Sequence, residues 1–366
     1  MPPDPKLPPT ELAAVFVAAA DGNARVSVEQ VYEPVASASA GIWRVTCGDQ
    51  SAILKLIAHS DAGHPNWRSG PDPTHWYYWR REVLAYETGL LESMRGGLRA
   101  PACHLVADRD DGSAALWLED LRSTPAPEWS LERYGLAARH LGRMQGAYLT
   151  GLRVPDHDWL SRSWMRSYLM QRDGDMHLVE QTALWKDARL IPWFPAPPID
   201  RVHAMRNDQS RFLDALDELP RTLCHLDLHP ANLFGNEQED ITTVIDWSFV
   251  GIGAIGEDAG NLVPDAVLDF HFDPARIDAL YETVYDGYAA GLRDAGARGI
   301  DDAARLGMAA TIAAKYAWIA PAILRAVAED RAELNRRATD ESLQWWGPAV
   351  GFLLDRADEA RSLVQP

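Results

Sequence analysis

Residues 222–250 read TLCHLDLHPANLFGNEQEDITTVIDWSFV, and the rest of the chain is arranged around this stretch. A short apolar run, Leu223-Cys224, leads into a polar cluster of His225, Asp227, His229 and Asn232. A turn-rich segment follows, and the β-branched run at 241–245 delivers Asp246 at its end. Two extended runs flanking a polar turn predict a hairpin-like unit, which would gather Asp227, Asn232 and Asp246. Two carboxylates and a carboxamide oxygen form a hard-oxygen set suited to Mg²⁺, which takes few protein ligands and completes its shell with water and phosphate.

Upstream, residues 26–35, 41–47 and 51–57 read as strands, the last two joined by the turn Gly48-Asp49-Gln50. Lys55 stands alone in the apolar run 51–57, so it either faces water at an edge or has an acidic partner. Residues 75–94 carry apolar positions at helical spacing and stop at Gly96-Gly97. They also carry Glu82. Residues 101–107 and 114–118 add two more strands, and Ser-Thr-Pro-Ala-Pro at 123–127 reads as a linker. Beyond it the pattern is mostly helical. Ser130 opens a helix with an apolar face of Leu131, Tyr134, Leu141, Met144 and Tyr148.

His225-x-Asp227-x-x-x-x-Asn232 followed by Asp246-Trp247 resembles the catalytic loop and metal motif of protein kinases. It resembles more closely those of the aminoglycoside phosphotransferase and choline kinase-like small-molecule kinases. The resemblance implies an α+β, bilobal protein-kinase-like fold. Residues 1–120 would form a small N-terminal antiparallel-sheet lobe with one main helix, behind a flexible tail at 1–9. Residues 121–366 would form a larger, mostly helical C-terminal lobe.

It also implies roles. Asp227 would accept the substrate hydroxyl proton, and Asn232 and Asp246 would hold Mg²⁺. Lys55 would hold the phosphates of ATP or GTP, with Glu82 as its helix partner. Adenine would lie against backbone groups of Glu119, Asp120 and Leu121. Asp258 would brace the catalytic loop, and Asp265, Asp269 and His271 are the substrate-pocket candidates. The pattern departs from the family at the phosphate-cradling loop, where Ser37-Ala38-Ser39-Ala40-Gly41 holds a single glycine. Ser39 and Gly41 could still permit close backbone approach to phosphates.

Two rival readings of the central stretch are a catalytically silent nucleotide-binding protein and a Zn²⁺ hydrolase using His225, Asp227 and His229. The latter leaves Asn232 and Asp246 without a role. His225 reads more simply as a structural histidine bonded to backbone. His229-Pro230 reads as a turn former, because proline pushes the preceding residue out of the helical region.

A net charge of −18 argues against a nucleic-acid partner, since phosphate backbones are bound by Lys and Arg surfaces. Between Arg221 and Arg276 there is no Lys or Arg, while ten carboxylates accumulate. That imbalance fits either a solvated acidic face or a cationic substrate, and with the family resemblance it implies a small, cationic or amino-sugar-like one. Cys47, Cys103 and Cys224 are too scattered for a disulfide framework and fit a reducing cytoplasm. The apolar run 12–20 is flanked by Asp4, Glu11 and Asp21, so it predicts a first helix entered through Thr10 rather than a signal peptide. No membrane span is expected, because Lys315 interrupts the apolar C-terminal run. The tryptophans at 159, 164, 185 and 193 could cap a substrate, but read first as core.

Overall fold

The computed structural model describes residues 5–19, 25–32, 38–60, 67–172, 175–237 and 239–364. Helix α1 (Pro9–Val15) starts at Pro9 itself, with Pro8 as its N-cap and no side-chain cap. The expected Thr10 cap is therefore displaced, because a proline at the first helical position has its φ preset and needs no amide partner. It also shortens the predicted tail, since Pro5 is already buried. Glu11 of α1, 6 % exposed, accepts from Trp117 Nε1 at 2.8 Å and pairs with Arg109 Nη2 at 2.6 Å. That buried pair fastens the helix to the sheet.

Strands β1 (Val26–Tyr32), β2 (Ser39–Cys47), β3 (Gln50–Ile57), β5 (Cys103–Asp108) and β6 (Ala114–Glu119) form one antiparallel sheet in the order β1-β2-β3-β6-β5. Successive side chains point to opposite faces. Trp43, Val45, Leu54 and Trp117 thus pack on the α1 side with Phe16, and Ile57, Leu116 and Leu118 pack on the other against Val83. Lys55 shares the Val83 face. That alternation aims a charged side chain at helix α2 (Arg81–Glu87).

The helix predicted over 75–94 is thus reduced to α2 and a 3-10 turn at Leu91–Ser93. Arg81 explains the late start. Its guanidinium is 1 % exposed and donates to the carbonyls of His75 (2.8 Å), Trp76 (3.0 Å) and Trp159 (2.8 Å). Carbonyls drawn to that side chain are not available to a helical ladder. Gly89, at φ +70°, ends the helix.

After the two-residue strand β4 (Leu98–Arg99) and the sheet, the chain enters the helical lobe through α3 (Leu131–Leu149), capped by Ser130, whose Oγ accepts from Arg133 N. Short helices α4 (Trp164–Met170), α5 (Met176–Val179) and α6 (Thr182–Trp185) precede α7 (Ile199–Asn207) and α8 (Gln209–Glu218). Trp164 and Trp185 are buried core, as the duller reading held, whereas Trp193 is 39 % exposed. The central stretch contributes β7 (Arg221–Cys224), β8 (Leu233–Phe234), β9 (Thr242–Val244) and β10 (Gly251–Ala254). Five further helices close the lobe: α9 (Glu257–Leu268), α10 (Ile277–Asp294), α11 (Asp301–Lys315), α12 (Ile319–Ala328) and α13 (Thr339–Leu363), the last entered through the two-residue strands β11 (Glu333–Leu334) and β12 (Arg337–Ala338).

The segment Asp301–Ala328 is, despite Lys315, long and apolar enough to cross a membrane, but 83 % of its most apolar window is buried within the protein. Its hydrophobicity is used by the core.

Helices α3 and α10 meet backbone to backbone. A Cβ on Gly142 would lie 2.2 Å from Tyr288 O, and one on Gly287 2.1 Å from Gly135 O. Neither neighbour is a side chain that can swing aside. Gly142→Ala is therefore expected to destabilise the fold by about 1–3 kcal/mol, the usual range for overpacking, read from the urea unfolding midpoint. An unchanged midpoint would mean the helices separate freely.

Candidate active site

The central stretch folds as two nested pairings. β7 pairs with β10, and β8 pairs with β9, which also runs parallel to β4. The predicted pairing of 223–224 with 241–245 is corrected accordingly. The consequence is retained, because the nesting sets the loop after β7 beside the loop after β9.

His225 joins those loops. It is 1 % exposed, donates from Nε2 to Ile245 O at 2.9 Å, accepts from Asp227 N at Nδ1, and packs edge-on against Trp247. Burial lowers its pKa, so the ring is neutral. Both ring nitrogens are committed, which removes His225 as a Zn²⁺ ligand and with it the hydrolase reading.

Two non-glycine residues here hold left-handed backbone, Leu226 at φ +67° and Asp246 at φ +61°. Such conformations cost on the order of 1 kcal/mol or more and persist only where surroundings enforce them. For Leu226 the enforcement is visible. Asp258 is fully buried and accepts from His225 N at 2.9 Å and Leu226 N at 2.7 Å, with Gln145 Nε2 donating to it at 2.9 Å.

Glu257, its neighbour, accepts from Ala254 N, and burial pushes its pKa up to about 7. A carboxyl whose folded pKa is raised stabilises the fold below its unfolded value of 4.5, and that contribution is lost as pH rises through 7. Glu257→Gln mimics the neutral form. Relative to wild type it should gain up to about 3 kcal/mol between pH 4.5 and pH 8, at about 1.4 kcal/mol per pH unit. Urea unfolding at the two pH values checks this, and equal differences at both would contradict it.

Lys55, buried in the sheet, reaches both Glu82 (Nζ to Oε2, 2.6 Å) and Asp246 (Nζ to Oδ1, 2.9 Å). Burial alone would lower the lysine's pKa, but Asp246 and Glu82 outweigh it and hold the ammonium charged. Glu82 is pushed upward by burial, while Asp246 is held below the usual carboxylate range despite burial, by Lys55 and by Ser248, whose Oγ donates to it at 2.6 Å. Asn232 donates from Nδ2 to Asp227 O at 3.1 Å. With its nitrogen so committed, the carboxamide oxygen is left for a ligand. That orientation, beside an ionised Asp246, fits a hard divalent cation such as Mg²⁺.

A cavity of about 470 Å³ opens between the lobes. Its polar end is Lys55, Glu82, Asn232, Asp246 and His229, and its apolar end includes Ile42, Leu118, Leu121 and Phe234. Glu119 and Asp120 also line it, but their side chains are engaged elsewhere. Glu119 makes a two-pronged pair with Arg99 at 2.6 and 3.0 Å, and Asp120 binds Arg44 and Ser51. What they offer the cavity is backbone.

The phosphate-loop candidates lie at the start of a strand. Ser37 lies outside the described residues, and Ser39 and Gly41 belong to the start of β2, paired with Ile57 and Leu56. Gly41 makes room for the Trp43 ring, which a Cβ would meet at 2.0 Å.

Asp265, Asp269 and His271 come together at and just beyond the end of α9, within electrostatic reach of His229 or of one another. Burial and Asp265 raise Asp269, and burial and the nearby His229 lower His271. Asp265 is not free, because Lys315 Nζ lies 3.1 Å away. Lys315 is fully buried, its charge favoured by Asp265 and also by Asp227. As a site residue it was missed, although it gave the same signal as Lys55, a lone lysine in an apolar run.

The carboxylates between Arg221 and Arg276 are largely met within the protein in the same way: Asp240 by His140, Asp246 by Lys55, Asp258 by backbone amides, Asp265 by Lys315 and Asp273 by Ala275 N. The acidic flank therefore does not by itself demand a cationic ligand.

A five-stranded antiparallel lobe, a helical lobe, and a cavity between them with a lysine, two carboxylates and an asparagine at one end define a kinase-like phosphotransferase scaffold. The profile of the phosphotransferase enzyme family matches residues 32–298, and the chain belongs to that family. Among solved structures it is similar to an aminoglycoside phosphotransferase from Alicyclobacillus acidocaldarius, at 13 % identity over 99 % of this chain and 97 % of that one, with a TM-score of 0.56. Amicoumacin kinase in complex with AMP-PNP, Ca²⁺ and its ligand aligns at 14 % identity over 91 % and 88 % of the two chains, with a TM-score of 0.49. Choline kinase from Cryptosporidium parvum aligns at 12 % identity over 92 % and 90 %, with a TM-score of 0.48. At such identities the likeness concerns the fold. No curated protein matches in sequence.

Proposed function

We propose that the protein is a small-molecule kinase that moves the γ-phosphoryl group of ATP or GTP to a hydroxyl of a small acceptor. The observation that carries this is the single cavity holding the Lys55–Glu82 pair, Asp246 and Asn232, with Asp227 on the adjoining loop. In this reading the nucleotide base lies at the apolar end, against backbone of 119–121, and the phosphates reach Lys55. Asn232 and Asp246 would hold Mg²⁺, which when bound offsets phosphate charge. Asp227 takes the proton from the acceptor hydroxyl as its oxygen bonds to the γ-phosphorus, and the bond to the β-γ bridging oxygen breaks to release the diphosphate. Positioning and electrostatics supply most of the rate.

Aminoglycosides, amino sugars and amino alcohols remain the first acceptors to try, by family, with Asp265, Asp269 and His271 as the residues that would meet them. A reducing cytoplasm is the proposed location, from the scatter of Cys47, Cys103 and Cys224 along the sequence.

The silent, nucleotide-binding alternative draws on the single glycine of the segment 37–41. Titration calorimetry with Mg·ATP, followed by slow ATP hydrolysis, separates the two. Binding that needs Asp246 and is accompanied by turnover supports the kinase. Absence of Mg·ATP binding would overturn both.

A further inference from the structure

One half-buried side chain at the reaction end has no function in the foregoing account. His229 lines the cavity beside Asn232 and Asp246, and its Nδ1 is buried without a hydrogen-bond partner among the described residues. Its Nε2 stands 4.0 Å from Asp227 Oδ2, too far for a direct hydrogen bond. An unpaired buried polar atom costs about 1–3 kcal/mol, and nothing in the turn requires an imidazole. Pro230 needs only an extended residue before it, which His229 supplies at φ −134° and ψ 163°.

The other side-chain nitrogen donors along this cavity already have protein partners, although Lys55 keeps an N–H for phosphate. Arg44 binds Asp120 and Glu29, Asn232 Nδ2 binds Asp227 O, and Lys55 lies between two carboxylates. His229 thus offers an uncommitted ring beside both the base and the metal-facing carboxamide. A ring N–H at that point suits an anionic oxygen held between Asp227 and Asn232.

We infer that His229 donates to the terminal phosphoryl group of the bound nucleoside triphosphate, so that it distinguishes triphosphate from diphosphate and holds the transferred group in line with Asp227. The inference rests on the kinase reading, since it needs a triphosphate in the cavity. It makes His229 a binding and positioning residue rather than the turn former expected from sequence.

Calorimetric titration of the full chain with Mg·AMP-PNP and with Mg·ADP tests it without an acceptor. Wild type should prefer the triphosphate analogue. His229→Ala should lose about tenfold of that preference while its Mg·ADP affinity stays within two- to threefold, and His229→Gln, which keeps a donor, should recover part of it. An unchanged ratio in a variant that still binds Mg·ADP would overturn the inference and leave the kinase reading standing. Failure of the wild type to bind either nucleotide would bring down both.

Discussion

Asp227→Ala is expected to lower phosphotransfer by about 10²–10⁴-fold, the range for removing a positioned general base, while Mg·ATP affinity stays within about twofold. The side chain is open to solvent at one end, with His229 Nε2 4.0 Å away and the buried Lys315 within electrostatic reach. The contacts that shape the loop use the backbone of residue 227 instead, its N–H to His225 and its carbonyl to Asn232. Alanine keeps both, so the thermal midpoint should hardly move. Steady-state kinetics and calorimetry on the same preparation check the separation of chemistry from binding. Retention of wild-type turnover would mean that the base lies elsewhere.

Lys55→Met should act on both stability and activity, for different reasons. Removing the ammonium leaves Glu82, 1 % exposed, without its counter-charge. Breaking one half of a buried ion pair typically costs 3–5 kcal/mol. The same change deletes the cation at the phosphate end, and loss of one such electrostatic contact lowers turnover by about 10²–10³-fold. Adding Glu82→Gln separates the two. The double variant should recover most of the stability, because the fully buried Glu82 charge is gone and the Asp246 side chain left behind is partly exposed and still bonded to Ser248, yet recover none of the activity. Recovery of both would show that the lysine serves the fold alone.

The residues on which these predictions rest were legible because their spacing is local. Asp227, Asn232 and Asp246 fall within one stretch, and a lone lysine in a strand asks for an acid on the neighbouring helix. Lys55 and Glu82 answer each other at 2.6 Å. What could not be read depends on partners far away in the chain. Arg81 looked like an ordinary helix residue, yet its bonds to His75, Trp76 and Trp159 decide where α2 begins.

Asp265 looked like a free acid until α11 set Lys315 against it. The strand partners of 222–250 were misassigned for a related reason. Pairing β7 with β10 requires the chain to leave for the β8–β9 hairpin and return, which no periodicity announces. Charge counting within the window was incomplete, because Lys55 and Lys315, which pair with Asp246 and Asp265, and the neutral His140 ring, which bonds Asp240, all lie outside it.

The central claim is that this cavity transfers phosphate to an alcohol. A phosphotransfer screen with Mg·ATP across aminoglycosides, amino sugars, amino alcohols and nucleosides, read by mass spectrometry, tests it most directly. The account predicts that at least one class gains a phosphoryl group on a hydroxyl with wild type and not with Asp227→Ala. Tight binding of Mg·ATP with no transfer to any alcohol and no slow hydrolysis would contradict it.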